Sequence, residues 1–281
     1  GKTLNLINIT FINAFSKSNG GAIFVNDNAK IYATNCSFIN NSAVDKGGAF
    51  YIKTGATISL KDCNFTSNIG RETGINTANV QGCAIFINST SQIEISNSYF
   101  KDNQEIIKYG PASGGGICYG GVIYANSATV KISNSTFLHN TLTGKISSNI
   151  GGVIYASNSN IEIKKSTFIN NTVTQTEGSF NYLGGVIYAT GTSSKIIVND
   201  SSFTNNYATG SGGAIYIDNN VKFQVANSNF TDNTVRDNGG AAIFIYNNYN
   251  GNITDCNFIN NTASWGGAIY AGYVNVGTGL L

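Results

Sequence analysis

Apolar and polar residues alternate along this chain in short runs that recur from one end to the other. Ile93-Glu94-Ile95-Ser96, Val130-Lys131-Ile132-Ser133 and Ile161-Glu162-Ile163-Lys164 are three of them. A period of two with β-branched residues predicts a strand buried on one face. Each run leads to a phenylalanine: Phe11, Phe38, Phe65, Phe100, Phe137, Phe168, Phe203, Phe230 and Phe258. Three residues before it stands Asn8, Asn35, Asp62, Asn97, Asn134, Lys165, Asp200, Asn227 or Asp255. Asn and Asp predict a turn there, because they tolerate left-handed backbone and bond to nearby amides. Three residues after it comes Asn41, Asn68, Asn103, Asn140, Asn171, Asn206, Asn233 or Asn261, with Ala14 in the first unit.

A second, shorter apolar run opens on glycine. It reads Gly20-Gly21-Ala22-Ile23-Phe24 at first, then returns at Gly47, Gly82, Gly120, Gly151, Gly184, Gly212, Gly240 (blurred to GAAIF) and Gly266. Glycine suits a tight corner or a close backbone approach. Gly212 to Asn233 is one complete unit.

The spacing between the two markers identifies the architecture. From the second motif position to the next Phe is always 16 to 18 residues. From Phe to the following second motif position is 9 to 11 residues near both ends, but 18, 21, 15 and 17 after Phe65, Phe100, Phe137 and Phe168. One side of each unit is therefore fixed and one corner takes insertions. Units of about 27 residues with short strands and no helical period are the signature of a parallel β-helix. The expectation is an all-β chain, residues 1–281 forming a single right-handed parallel β-helix of about nine coils. Nine coils at the sheet spacing rise ~43 Å, and the hand follows that of other parallel crossovers. The longer loops, within 69–184, are expected to form one ridge over the central coils.

Stacking makes columns of equivalent positions. Phe38, Phe65, Phe100, Phe137, Phe168, Phe203, Phe230 and Phe258 should form an inward aromatic ladder. Asn41, Asn68, Asn103, Asn140, Asn171, Asn206, Asn233 and Asn261 should stack their amides along the axis. Two residues before Phe lies a column of small residues that includes Cys36, Cys63, Ser98, Ser135, Ser166, Ser201, Ser228 and Cys256. Cys36 and Cys63 are adjacent in it; they read as free buried thiols, with a vertical disulfide as the alternative that the rung spacing allows. Glu94, Lys131 and Glu162 share one outward column on consecutive coils, a cross-strand charge ladder.

The aromatic closing each glycine motif forms another column, from Phe24 to Tyr270. Its parity is opposite to that of the preceding residue, usually Ile, so Ile is expected inward and the aromatic outward. Two readings stay open for the outward stripe. It is covered by the variable loops, or it offers a partner surface, with Tyr124, Tyr155, Tyr188 and Tyr216 stacking on sugars or on a neighbouring subunit.

Composition narrows the function classes. Charged residues make up 11% of the 281 and the net charge is +2, unlike a nucleic-acid binder. No apolar run approaches a membrane span. There is no methionine, so the sequence reads as a processed chain or an excised segment. Pro111 is the only proline, which suits ladders that need every N–H. The five cysteines contain no CxxC pair, which argues against zinc. Neither a metal nor a cofactor is expected.

Candidate chemistry is sparse. Asp62, Asp200 and Asp255 fall in the turn column before Phe, and Asp102, Asp232 and the single histidine, His139, in the turn column after it. These read as substitutions within a repeat, not as a converging catalytic set, and no nucleophile–base arrangement can be assembled. Sequons for N-glycosylation begin at Asn8, Asn35, Asn40, Asn64, Asn88, Asn134, Asn170, Asn199, Asn229, Asn252 and Asn260; they recur because the repeat itself contains Asn-Ser-x-Phe and Asn-Asn-Thr.

The GGAI-type motif at nine places and FxxN at eight cover essentially the whole chain. This pairing resembles the repeats of the chlamydial polymorphic outer membrane proteins, autotransporter adhesins with a right-handed β-helical passenger. The resemblance implies the fold, a surface location and, more weakly, adhesion; it implies no catalytic residues. No β-barrel translocator is present in these residues. The function expected is a non-enzymatic extracellular or cell-surface scaffold, structural or adhesive. Its expected partners are copies of itself or neighbouring coils, glycans or cell-surface ligands. Both ends lack an amphipathic cap, which points to further coils or to copies stacked end to end as a glycosylated filament. The alternatives are a β-helix polysaccharide lyase or glycoside hydrolase, argued from fold analogy, and a glycan-binding module.

Overall fold

The computed structural model describes residues 1–71, 79–106, 117–144, 148–175, 181–218, 220–247 and 251–272; Pro111 and parts of the four long loops lie outside them. Every paired strand is parallel, and each pairs with its equivalents in the coils before and after. Three sheets run the length of the molecule with nine strands each, and another has eight. The coil from Thr129 to Ser157 shows the plan. A long strand, Thr129–Ser133, leads into the phenylalanine strand Thr136–Leu138 and a third strand, Thr141–Gly144. The glycine-motif strand, Ile154–Ser157, closes the coil. Nine coils stack, eight of them with the third strand among the described residues.

Four columns of left-handed residues turn the chain. Asn134 (φ 47°) stands between the long strand and the phenylalanine strand, and His139 (φ 54°) after the latter. Gly151 (φ 74°) precedes the motif strand and Asn158 (φ 48°) follows it. All nine residues of the column before Phe, Lys165 included, have φ between 47° and 56°. Asn and Asp prevail there because their side chains ease this conformation. The first glycine of the motif is stricter. A Cβ on Gly184 would lie 2.5 Å from the Ile187 carbonyl oxygen, so this corner takes glycine in all nine coils.

The interior is filled by the inward sets of three sheets. Val130 and Ile132 of the long strand, Phe137, and Ile123 and Ala125 of the motif strand belong to one continuous core. The phenylalanines stack face to face from Phe11 to Phe258 with ring centroids 4.6–5.1 Å apart. Phe50, where the other coils carry Ile, meets Phe38 edge-on at 4.8 Å. On the outside, the register sets Lys131 between Glu94 and Glu162.

The long loops add a feature beyond a ridge. Each contributes a three-residue strand, Asn79–Gln81, Ile117–Tyr119, Ser148–Ile150 and Asn181–Leu183, and these pair in parallel as a fifth sheet of four strands. The middle residues Val80, Cys118 and Tyr182 join Cys83, Leu142 and Val173 in a small second core.

Candidate functional site

The surfaces with functional promise are the aromatic column, the outer corners and the cysteines. Along the motif strands the rings from Phe24 to Tyr270 stack with centroids 4.7–5.4 Å apart. The residues just before them, such as Ile123, Ile154, Ile187 and Ile215, lie in the main core, so the aromatic column does face away from it.

It is not an open stripe. Tyr155, Tyr188 and Tyr216 are 9%, 8% and 7% exposed, and Tyr124 is half-buried. Of the two readings left open for the stripe, Tyr155, Tyr188 and Tyr216 follow the covered one and do not form an open partner surface, with Tyr124 half-buried beside them. The cause is the fifth sheet. Its strands end in Tyr119, Ile150 and Leu183, which pack on the tyrosines together with Tyr246. Tyr119 reaches within 4.3 Å of the Tyr155 ring, centroid to centroid.

Asp218, which no repeat pattern singled out, lies at the edge of this column. It accepts hydrogen bonds from the Tyr188 hydroxyl at 2.9 Å and from Thr190 Oγ1 at 3.0 Å. Burial, then the Asp218 carboxylate, raises the Tyr188 phenol well above its usual range. Burial acts first on Tyr155 and Tyr216 too, and pushes Tyr124 up to about 12.

The amide column is a closed hydrogen-bond system. Asn140 Oδ1 accepts from both the backbone N–H and Nδ2 of Asn103, at 3.1 and 2.9 Å. Asn140 Nδ2 then donates to the Phe100 carbonyl at 3.1 Å and to Asn171 Oδ1 at 2.9 Å. The pattern repeats from Asn41 to Asn261, and the amides from Asn41 to Asn233 are fully buried. These amides are committed to stacking and are not presented to a substrate. Ser98, Ser135, Ser166, Ser201 and Ser228 form a second ladder, each hydroxyl accepting from the N–H one coil earlier. They also donate to the carbonyl two residues back.

Cys36 and Cys63 occupy this serine column as free thiols. Cys63 Sγ donates to the Lys61 carbonyl at 3.2 Å, as a serine would, and burial pushes its thiol up to about 11. Cys118 Sγ hydrogen-bonds to the buried Glu105 carboxyl in the second core. Burial, followed by the Glu105 charge, raises both Cys118 and Cys83.

The acids do not converge. Asp62, Asp200 and Asp255 have φ of 51–54°, and Asp102 and Asp232 of 53° and 55°; each fills a corner where Asn is the common residue. His139 (φ 54°) lies in the same outer column, its Nε2 2.9 Å from Asn170 Nδ2 and its Nδ1 3.8 Å from Asp102 Oδ1. Of the sequons, Asn8, Asn35, Asn40, Asn64, Asn134, Asn229, Asn252 and Asn260 are exposed, whereas Asn88, Asn170 and Asn199 are half-buried. Asn35 and Asn40 already donate through Nδ2 to Asn8 and Asn13.

Comparison with known proteins adds one result. The family of right-handed β-helix regions matches residues 3–144 and 75–278, two overlapping spans that take in nearly the whole chain. No curated protein and no solved structure matches the sequence.

Proposed function

Because the chain belongs to the right-handed β-helix family, we propose that it works by shape, as a non-enzymatic scaffold segment of a secreted or cell-surface protein. One observation carries this reading. The residues best suited to chemistry are largely occupied by the repeat: the amides and hydroxyls in closed ladders, and five of the fourteen acids in left-handed corners, while Glu105 and Asp218 are hydrogen-bonded to Cys118 and Tyr188. The fold itself is neutral here, since it hosts enzymes and non-enzymes alike. A polysaccharide lyase or glycoside hydrolase would bring carboxylates, or a metal and a base, to one groove. The corner columns instead spread Asp62, Asp102, Asp200, Asp232 and Asp255 over five coils.

A surface location draws support from the exposed sequons and from the GGAI and FxxN pairing that the chain shares with surface adhesins. The proposal is a rod that presents its insertions and corners. Antibody labelling of intact source cells tests the location. Labelling without permeabilisation is expected, and label that appears only after permeabilisation would contradict it.

A further inference from the structure

The covered tyrosines form a series of phenols in ring contact. Tyr124, Tyr155, Tyr188 and Tyr216 stack on consecutive coils with centroids 5.1, 5.4 and 5.1 Å apart. Tyr119 leans on them from the fifth sheet, 6.0 Å from Tyr124 and 4.3 Å from Tyr155. Tyr119 and Tyr124 are half-buried, whereas Tyr155, Tyr188 and Tyr216 are buried, so the series runs from the surface inward. Its inner part meets a base. The Tyr188 hydroxyl donates to Asp218 Oδ2 at 2.9 Å, and Thr190 Oγ1 holds the same oxygen at 3.0 Å. Asn126, Ser157 and Thr190 occupy the column of Asp218 on the three preceding coils, so the repeat does not call for a carboxylate there.

We propose that this column is a one-electron redox site, forming a neutral radical on Tyr188 as its phenol proton passes to Asp218. The co-reactant is an outside one-electron oxidant of the ferryl-haem or metal-polypyridyl class. It gains one electron from Tyr119 or Tyr124, and the vacancy passes from ring to ring through Tyr155 to Tyr188. There the O–H bond breaks, its proton goes to Asp218 Oδ2, and a neutral phenoxyl radical is left. A one-electron donor reverses the step, with the proton returning from Asp218. Tyr188 is the resting place for an electrostatic reason. A buried phenol that loses an electron and keeps its proton carries an unpaired positive charge, which is costly. The Tyr188–Asp218 pair instead starts with one negative charge and ends with none, so its apolar surroundings favour the product. Ile150 and Leu183 pack over the tyrosines and keep a second radical away. The inference does not depend on the scaffold reading, and its failure would leave that reading as it stands.

The test is flash oxidation of the whole chain by ruthenium(III) tris-bipyridine, generated by light in the presence of hexaammineruthenium(III) as quencher. Tyrosyl radical is followed by absorbance and by electron paramagnetic resonance. The chain carries Trp265→Phe, because the single tryptophan is 59% exposed and would be oxidised too. Exposed tyrosines such as Tyr32 should give a fast-decaying signal, and Tyr188 a second, slowly decaying one. Tyr188→Phe, which keeps the ring in the stack, should remove the slow phase. Tyr32→Phe should reduce only the fast phase. Asp218→Asn keeps an acceptor oxygen but no base, and should slow formation of the slow phase at least roughly ten-fold. Should Asp218→Asn melt early, the parent chain equilibrated in deuterium oxide is read in its place, and formation of the slow phase should be slower there. Absence of a slow phase, a slow phase that survives Tyr188→Phe, or formation unchanged by Asp218→Asn or by deuterium oxide would overturn the proposal.

Discussion

Asn140 offers one side-chain oxygen to two donors of Asn103, its backbone N–H and its Nδ2, at 3.1 and 2.9 Å. Each amide thus completes the coil below it and depends on the coil above. Asn140→Ala strands the buried Asn103 N–H and removes the donor to Phe100. A loss of roughly 3 kcal/mol is expected from urea unfolding. Asn261→Ala, in the partly exposed last rung, should cost only roughly 1 kcal/mol.

The two kinds of left-handed corner should respond differently to substitution. Gly184 (φ 67°) has no room for a Cβ beside the Ile187 carbonyl, so Gly184→Ala is expected to destabilise by about 2 kcal/mol or more. Asn227 (φ 49°) lies in an open corner, and Asn227→Gly should stay within roughly 1 kcal/mol of wild type. Paired melting curves of the two variants check this contrast.

The covered tyrosines make stability fall in alkali. Burial raises Tyr124, Tyr155, Tyr188 and Tyr216 in the folded chain, whereas unfolded tyrosines ionise near an ordinary value of about 10. Above that pH the unfolded state loses protons that the folded state keeps, which favours unfolding. The contribution is complete below pH ~10 and is lost as pH rises towards the folded values. Urea midpoints should therefore be unaffected by these phenols near neutrality and drop above pH ~10, with tyrosinate absorbance rising together with unfolding. Tyr188→Phe should make the drop shallower.

Thiol reactivity should follow burial. Cys36, Cys63, Cys83 and Cys118 are buried and Cys256 is partly exposed. A disulfide reagent should modify Cys256 first in the native chain and reach the other four only on unfolding. Cys63→Ser should be nearly neutral, within about 1 kcal/mol, because a hydroxyl there can repeat the bonds of Ser98 and Ser135.

Most of the coil was legible because stacking forces equivalent residues into register. Phe137, Asn140 and Gly151 each have a geometric reason to recur, and recurrence at fixed spacing is visible in a single sequence. The fifth sheet was not legible. Its strands, such as Asn79–Gln81 and Ser148–Ile150, are three residues long, too short for alternation to show, and they lie in loops of unequal length. Missing that sheet left the fate of Tyr155, Tyr188 and Tyr216 open, since what covers them is Tyr119, Ile150 and Leu183. Asp218 escaped for a related reason: it is a departure from the repeat, and only its neighbours Tyr188 and Thr190 on another coil give it a role.

The proposed scaffold turns nothing over. The test is to incubate the purified chain with a panel of neutral and acidic polysaccharides and measure release of new reducing ends and unsaturated products. No release above a heat-unfolded control is expected. Sustained release that is lost on changing a carboxylate, Asp200→Asn or Asp218→Asn, in a chain that still folds would contradict the account.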